Sequence, residues 1–166
     1  MHFYGASVSS MYSVKVSGIK LRFASAHMAT INNKLEPLHG HNYIVSCTLD
    51  GSLSPDDWVI DFSEIKKIVE FNCKILDHKF ILQHKSKILK IDDDNESWNI
   101  SYNSLKYVFP KIDVVALPIS NSTAENIAKW FFDKISKDIN RSNIENISIE
   151  VEEMPGQSGV YSSLIN

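Results

Sequence analysis

The chain has 166 residues, 43% hydrophobic and 22% charged, with a formal net charge of −3 at pH 7. That length fits one domain able to bury a core, and the composition is that of an ordinary globular protein. The acidic balance argues against a nucleic-acid or anionic-membrane partner, which needs a basic surface, but leaves room for a local basic pocket that takes a phosphorylated small molecule.

Residues 1–11 carry no basic cluster followed by an apolar stretch, so they read as a flexible N-terminus without a signal peptide, and 12–166 read as a single domain. No apolar run approaches the roughly 20 residues of a membrane span. From about Tyr12 to His27 the pattern alternates, placing Ile19, Leu21, Phe23 and His27 on one strand face and Lys20 and Arg22 on the other. Asn32 to Pro37 reads as a polar loop. A second strand runs from about Leu38 to Leu49, with His39, His41, Tyr43, Val45, Cys47 and Leu49 on its core face. Asp50-Gly51 and Ser54-Pro55-Asp56-Asp57 are turn chemistry.

Asp61-x-x-Glu64 predicts a capping box, followed by Phe62, Ile65, Val69, Cys73 and Leu76 at helical spacing. Ser122-x-x-Glu125 predicts another, before a helix with Ile127, Trp130, Phe131 and Ile135 on one stripe. Between the helices, Trp98–Tyr102 and Leu105–Phe109 predict a hairpin around Asn103-Ser104, with Asp92-Asp93-Asp94 as a solvated loop beside it. Strands are expected from about Ile144 to Glu153 and near Val160 to Leu164. The order of two strands, helix, hairpin, helix and two strands implies an α+β sandwich. Two cysteines, Cys47 and Cys73, are too few for a disulfide framework and suit buried thiols in a reducing cytosol.

The chemistry centres on Leu38-His39-Gly40-His41-Asn42-Tyr43. In a strand, residues two apart share a face with alpha carbons about 6.8 Å apart, so His39 and His41 can converge on one ion. His27, ending the previous strand on its apolar face, can add a third nitrogen. Three neutral imidazoles with one open position suit catalytic zinc first, although iron, copper and nickel also accept imidazole. Glu36, three residues before His39, is either a solvated loop carboxylate or, if its loop folds over the metal, a general base. Asp77-His78 is either a helix C-terminal histidine or a proton relay. In Ile147 to Glu153 odd positions are apolar and even ones polar, so Glu153 either continues the buried face and needs a partner, which a ligand with paired N–H donors would supply, or follows the end of the strand as a solvated carboxylate.

These residues, with Phe23-Ala24-Ser25-Ala26-His27, Val59-Ile60-Asp61-Phe62, Leu76-Asp77-His78, Ser122-Thr123-Ala124-Glu125-Asn126 and Val151-Glu152-Glu153, resemble the 6-pyruvoyltetrahydropterin synthase and 6-carboxytetrahydropterin synthase family. The motifs stand in family order from about residue 13 onward. The resemblance implies a tunnelling fold, an antiparallel sheet with two helices packed on one face. Trimers close their sheets into a barrel, and two trimers stack into a homohexamer with active sites between subunits. It implies zinc on His27, His39 and His41, a pterin anchored by Glu153 with help around Thr123, and catalysis by Asp77 and His78.

One departure matters. Typical members carry a catalytic cysteine in the loop before the paired histidines, and residues 28–38 contain none. Glu36 resembles instead a glutamate-containing subgroup, linked to folate synthesis, that cleaves 7,8-dihydroneopterin triphosphate to 6-hydroxymethyl-7,8-dihydropterin. The Trp98–Phe109 insertion also resembles that subgroup. A free glutamate, with a pKa near 4.3, is already a base at pH 7, whereas a free thiol near 8.5 is mostly protonated. The expectation is a cytoplasmic zinc-dependent pterin lyase. Its alternatives are a 6-pyruvoyl or 6-carboxy product, or a non-catalytic pterin- or metal-binding paralogue. Lys34 and Arg22 read first as solvated surface charge and second as candidate phosphate contacts.

Overall fold

Alternating apolar residues and short turns make strands, more than helices, the regular structure of the molecule. The computed structural model describes residues 11–139 and 141–165. The flexible segment assigned to 1–11 therefore lies, apart from Met11, outside the described residues. In chain order the elements are β1 (Tyr12–Val16), β2 (Arg22–His27), β3 (Thr30–Ile31), β4 (Lys34–Leu35), β5 (His39–Gly51), α1 (Phe62–Leu76), β6 (Lys79–Gln83), β7 (Lys90–Asp93), β8 (Ser97–Tyr102), β9 (Leu105–Pro110), β10 (Val114–Leu117), α2 (Ala124–Asp138), β11 (Ile144–Met154) and β12 (Gln157–Leu164). The main sheet runs β10-β6-β2-β5-β11-β12, and β1 lies beside the far end of β5. It is mostly antiparallel, with parallel pairs at β10–β6 and β6–β2.

Long β5 organises the sheet. Its inward side chains Tyr43, Val45, Cys47 and Leu49 join Phe23, Ile149 and Val151 from neighbouring strands in one core. Ile65, Val69 and Leu76 of α1 and Ile127, Phe131 and Ile135 of α2 close that core from one face of the sheet, so the fold is the expected α+β arrangement. Phe23 and Tyr43 stack at 4.6 Å between ring centroids. A second core of Met28, Phe80, Leu82 and Ile100 lies under the small β7-β8-β9 sheet, where Phe80 stacks on Phe109 at 4.4 Å. Among the described residues, no helix is long and apolar enough to cross a membrane.

Several local expectations change. The alternating run 12–27 is two strands, because the chain turns between them and leaves Ile19 75% exposed. Asn32 to Pro37 is not simply a loop. Asn32 and Asn33, at φ 51° and 59°, form the two-residue turn of a β3–β4 hairpin, a conformation that asparagine tolerates better than most residues. Asp92 and Asp93 belong to strand β7, which pairs with β8. Asp94 stays at the turn and accepts the N–H groups of Glu96 and Ser97. The hairpin around Asn103-Ser104 forms with Tyr102 opposite Leu105.

Neither capping box closes as predicted. Asp61 caps α1 by accepting the Ser63 N–H at 2.7 Å, but Glu64 turns to Arg141, and Phe62 is exposed. Helix α2 takes Thr123 rather than Ser122 as its cap, since the Ser122 backbone is already engaged elsewhere.

Candidate active site

The pairing of β2 with β5 assembles the histidines. His27 stands opposite His39 and Ser25 opposite His41. Three rings therefore meet, with centroids 4.6 Å apart for His27–His39, 5.3 Å for His27–His41 and 5.0 Å for His39–His41. Gly40 permits this approach, because a Cβ there would stand 2.9 Å from the Ser25 carbonyl oxygen.

Hydrogen bonds fix two of the tautomers. His27 Nδ1 donates to the Ser122 carbonyl and His39 Nδ1 to the Pro37 carbonyl, each at 2.8 Å. A carbonyl can only accept, so both Nδ1 atoms hold a proton, and in the neutral rings it is the Nε2 atoms that carry the lone pairs. Those two Nε2 atoms lie 3.2 Å apart. Nitrogens held at 2.0–2.1 Å in a tetrahedral metal site stand about 3.3–3.4 Å apart. One ligand atom from each of the three histidines falls within 4.8 Å of the others, so the cluster can hold a metal ion. Burial pushes the His27 imidazole down to about 4. The Ser122 carbonyl opposes that shift, while His39 and His41 add to it. A metal ligand must be neutral, and His27 is neutral at physiological pH.

The histidines open into a cleft of about 350 Å³ lined also by Glu36, Thr123 and Glu153. Glu36 is carried there by the β3–β4 hairpin, whose exit is pinned by Glu36 N–H donating to the Ala29 carbonyl at 2.9 Å. Glu153 sits at a bulge near the end of β11 and accepts the Tyr43 O–H at 3.3 Å. Burial, then the Glu153 charge and hydrogen bond, drive the Tyr43 hydroxyl far above its ordinary range, so it remains a donor. Thr123 stands at the N-terminus of α2, with Oγ1 accepting from Asn126 at 3.3 Å.

Asp77 and His78 do not line that cleft. Both line another beside Ala24 and Asn42, and His78 also shares a cavity of about 560 Å³ with His41. Asp77 accepts the Ala24 N–H at 2.8 Å and lies 3.0 Å from His78 Nδ1. The Ala24 N–H does most to hold its carboxyl below the usual range, and His78 adds to this. His78 adopts φ 59°, held there by its own N–H donating to the Ala24 carbonyl at 2.7 Å.

Both cysteines are free and buried; burial pushes each thiol up to about 12, and neither lines the histidine cleft.

Sequence reasoning missed the residues that brace the cleft. Gln83, 1% exposed, accepts the Ser122 N–H at 2.8 Å and donates to Thr30 Oγ1 at 3.1 Å. Asn121 accepts the Thr30 N–H and donates to the Thr30 carbonyl, each at 2.8 Å. One buried side chain thus ties Ser122, whose carbonyl orients His27, to the hairpin that carries Glu36. A glutamine closing the apolar run Phe80-Ile81-Leu82 was its visible signal.

A family model described as 6-pyruvoyl tetrahydropterin synthase matches residues 18–163, which includes every residue of both clefts. The chain belongs to the 6-pyruvoyl tetrahydropterin synthase family. A Methanocaldococcus jannaschii protein provisionally named 6-carboxy-5,6,7,8-tetrahydropterin synthase is 36% identical over 145 residues, covering 85% of this chain and 89% of that protein. The Plasmodium falciparum 6-pyruvoyl tetrahydropterin synthase structure matches at 34% identity with a TM-score of 0.90, over 95% of this chain and all of that one. A Plasmodium vivax member of the family, 32% identical with a TM-score of 0.89, also covers 95% of this chain and 100% of that one. It was solved with a glutamate described as a catalytic residue replaced by alanine. The two helices here cover one side of the sheet.

Proposed function

We propose that this family member is a zinc-dependent pterin lyase that converts 7,8-dihydroneopterin triphosphate to 6-hydroxymethyl-7,8-dihydropterin. The observation that carries this reading is that Glu36 lines the histidine cleft and neither cysteine does: Cys47 is in the core, and Cys73 lines the Asp77–His78 cleft as a buried thiol pushed up to about 12. A glutamate is described as a catalytic residue in the Plasmodium vivax relative, which supports the same role here.

His27, His39 and His41 would hold the zinc. When bound, it supplies Lewis acidity that lowers the pKa of a substrate hydroxyl. Glu153, its carboxylate oriented by Tyr43, anchors the paired N–H donors of the pterin ring, and Thr123 helps to seat it. Glu36 takes the proton of the side chain's second hydroxyl. The bond between the first and second side-chain carbons breaks, and its electron pair moves into the conjugated ring imine. A proton returned to the first carbon gives the hydroxymethyl product, and the remainder leaves as glycolaldehyde triphosphate.

Asp77 and His78 assist from a neighbouring subunit. Their separation from Glu36 within one chain supports active sites that form between subunits, in a homohexamer of two stacked trimers with barrel-closed sheets. Two buried free thiols suit a reducing cytoplasm.

General acid–base groups contribute about 10²–10⁴-fold, so Glu36→Ala should lower turnover by at least about 100-fold while zinc content stays unchanged. An unchanged rate would remove Glu36 from the mechanism. A second reading, with a 6-pyruvoyl or 6-carboxy product, is favoured by the names of the relatives.

A further inference from the structure

The cleft that contains Asp77 and His78 has a feature the proton chemistry does not use. It measures about 450 Å³ and is also lined by Lys20, Arg22, Lys74 and Asn42. Three fixed cations therefore share it with the carboxylates of Asp77 and Glu70. Both carboxylates are engaged: Glu70 pairs with Lys74 at 3.1 Å, and Asp77 is held by the Ala24 N–H and His78. Among the described residues, neither Lys20 nor Arg22 has a carboxylate within 4.0 Å. Two uncompensated cations in one cleft are notable on a chain of net charge −3. Concave walls focus such a field onto a small anion.

The backbone explains why they gather. The turn between β1 and β2 ends at Leu21, whose carbonyl accepts the Val45 N–H at 2.8 Å. Arg22 then starts β2 opposite Ile44 on the exposed face, while Phe23 turns into the core. Lys74, in the last turn of α1, approaches from the other side, and Asp77 and His78 follow directly. Arginine's planar fork matches phosphate oxygens, and lysine adds mobile point charges.

We infer that this cleft is a polyphosphate-binding site and that, on the pterin lyase reading above, it receives the triphosphate tail of the substrate. The chemical continuity is direct. Asp77 and His78 act on the substrate's side chain, the phosphates extend that chain, and Lys20 and Arg22 stand in the same cleft. Specificity for a phosphorylated over an unphosphorylated pterin then resides in cations outside the histidine cluster.

The test titrates inorganic triphosphate into the purified full-length protein by calorimetry, for the wild type and for K20A, R22A and K137A. Lys20, Arg22 and Lys137 are all exposed, so each variant should fold, and matching thermal midpoints would verify this. Lys137 lies on α2 outside the cleft and controls for overall charge. Removing one charge-assisted hydrogen bond to phosphate should weaken binding by about 5–20-fold in K20A and in R22A, with K137A close to wild type. Heat that is the same in all four proteins reports zinc chelation or diffuse charge and overturns the site.

Binding needs no turnover, so it survives even if the lyase reading fails. In the kinetic arm, R22A should raise KM for 7,8-dihydroneopterin triphosphate about tenfold and leave the KM for unphosphorylated 7,8-dihydroneopterin unchanged. Equal effects on both would overturn the assignment to the substrate tail.

Discussion

Replacing Gln83 with methionine isolates what the buried glutamine contributes. Methionine conserves length and approximate volume, so the variant removes two hydrogen bonds without opening a large cavity. The Ser122 N–H, in a fully buried residue, loses its acceptor, at a cost of about 1–3 kcal/mol. The bond to Thr30 Oγ1 adds about 1 kcal/mol, partly offset by the apolar side chain's greater hydrophobicity. The net expectation is a loss of about 2–3 kcal/mol in urea unfolding of the metal-free protein.

A second readout separates position from stability. Ser122 offers its carbonyl to His27 Nδ1, and loosening such an outer partner typically costs about 10–100-fold in metal affinity. Competition with a colorimetric chelator, without denaturant and at a temperature where the variant is folded, measures that loss. Unchanged zinc affinity together with a stability loss under 1 kcal/mol would refute the claim that Gln83 holds His27 and the Glu36 hairpin in register.

Three further outcomes follow from the geometry. Gly40→Ala should cost about 1–3 kcal/mol in stability and weaken zinc binding, because the new methyl group meets the Ser25 carbonyl between the two histidines; wild-type zinc binding would contradict this. His27 has its folded pKa depressed to about 4 from an unfolded value near 6.5. The unfolded chain therefore binds more protons between those values, and stability of the metal-free protein should fall by about 3 kcal/mol as pH drops from about 6.5 to 4, with His27→Gln removing that slope in urea titrations. Arg141→Ala, which breaks a partly exposed pair with Glu64, should change the unfolding free energy by less than about 1 kcal/mol; a larger loss would show that the pair anchors α1.

How legible the molecule was depends on the range of the interactions. Period-two alternation exposed β5 and β11, since each buries one face against the helices and polar residues take the other. Parity also placed His39 and His41 on the face that His27 shares, and the structure brings all three together. The short parallel strands β6 and β10 were not seen. Five and four residues give too little periodicity, and their pairing is set by tertiary contact rather than by a turn. The capping boxes misled because Glu64 finds a partner far along the chain in Arg141, while Gln83 and His27 hold the Ser122 backbone outside the helix and leave its hydroxyl without a partner. Local motifs cannot report that competition. Glu36 gained weight for a related reason. Nothing in its immediate sequence lifts it above a loop residue, but the Asn32-Asn33 turn folds its hairpin toward the histidines.

Glu36 also sets the most direct test of the account. Purified protein carrying zinc is incubated with 7,8-dihydroneopterin triphosphate, and the pterin formed is identified by mass. The account predicts 6-hydroxymethyl-7,8-dihydropterin as the main species, together with glycolaldehyde triphosphate. A 6-pyruvoyl or 6-carboxy pterin as the main species, or bound zinc with no product at all, would contradict it.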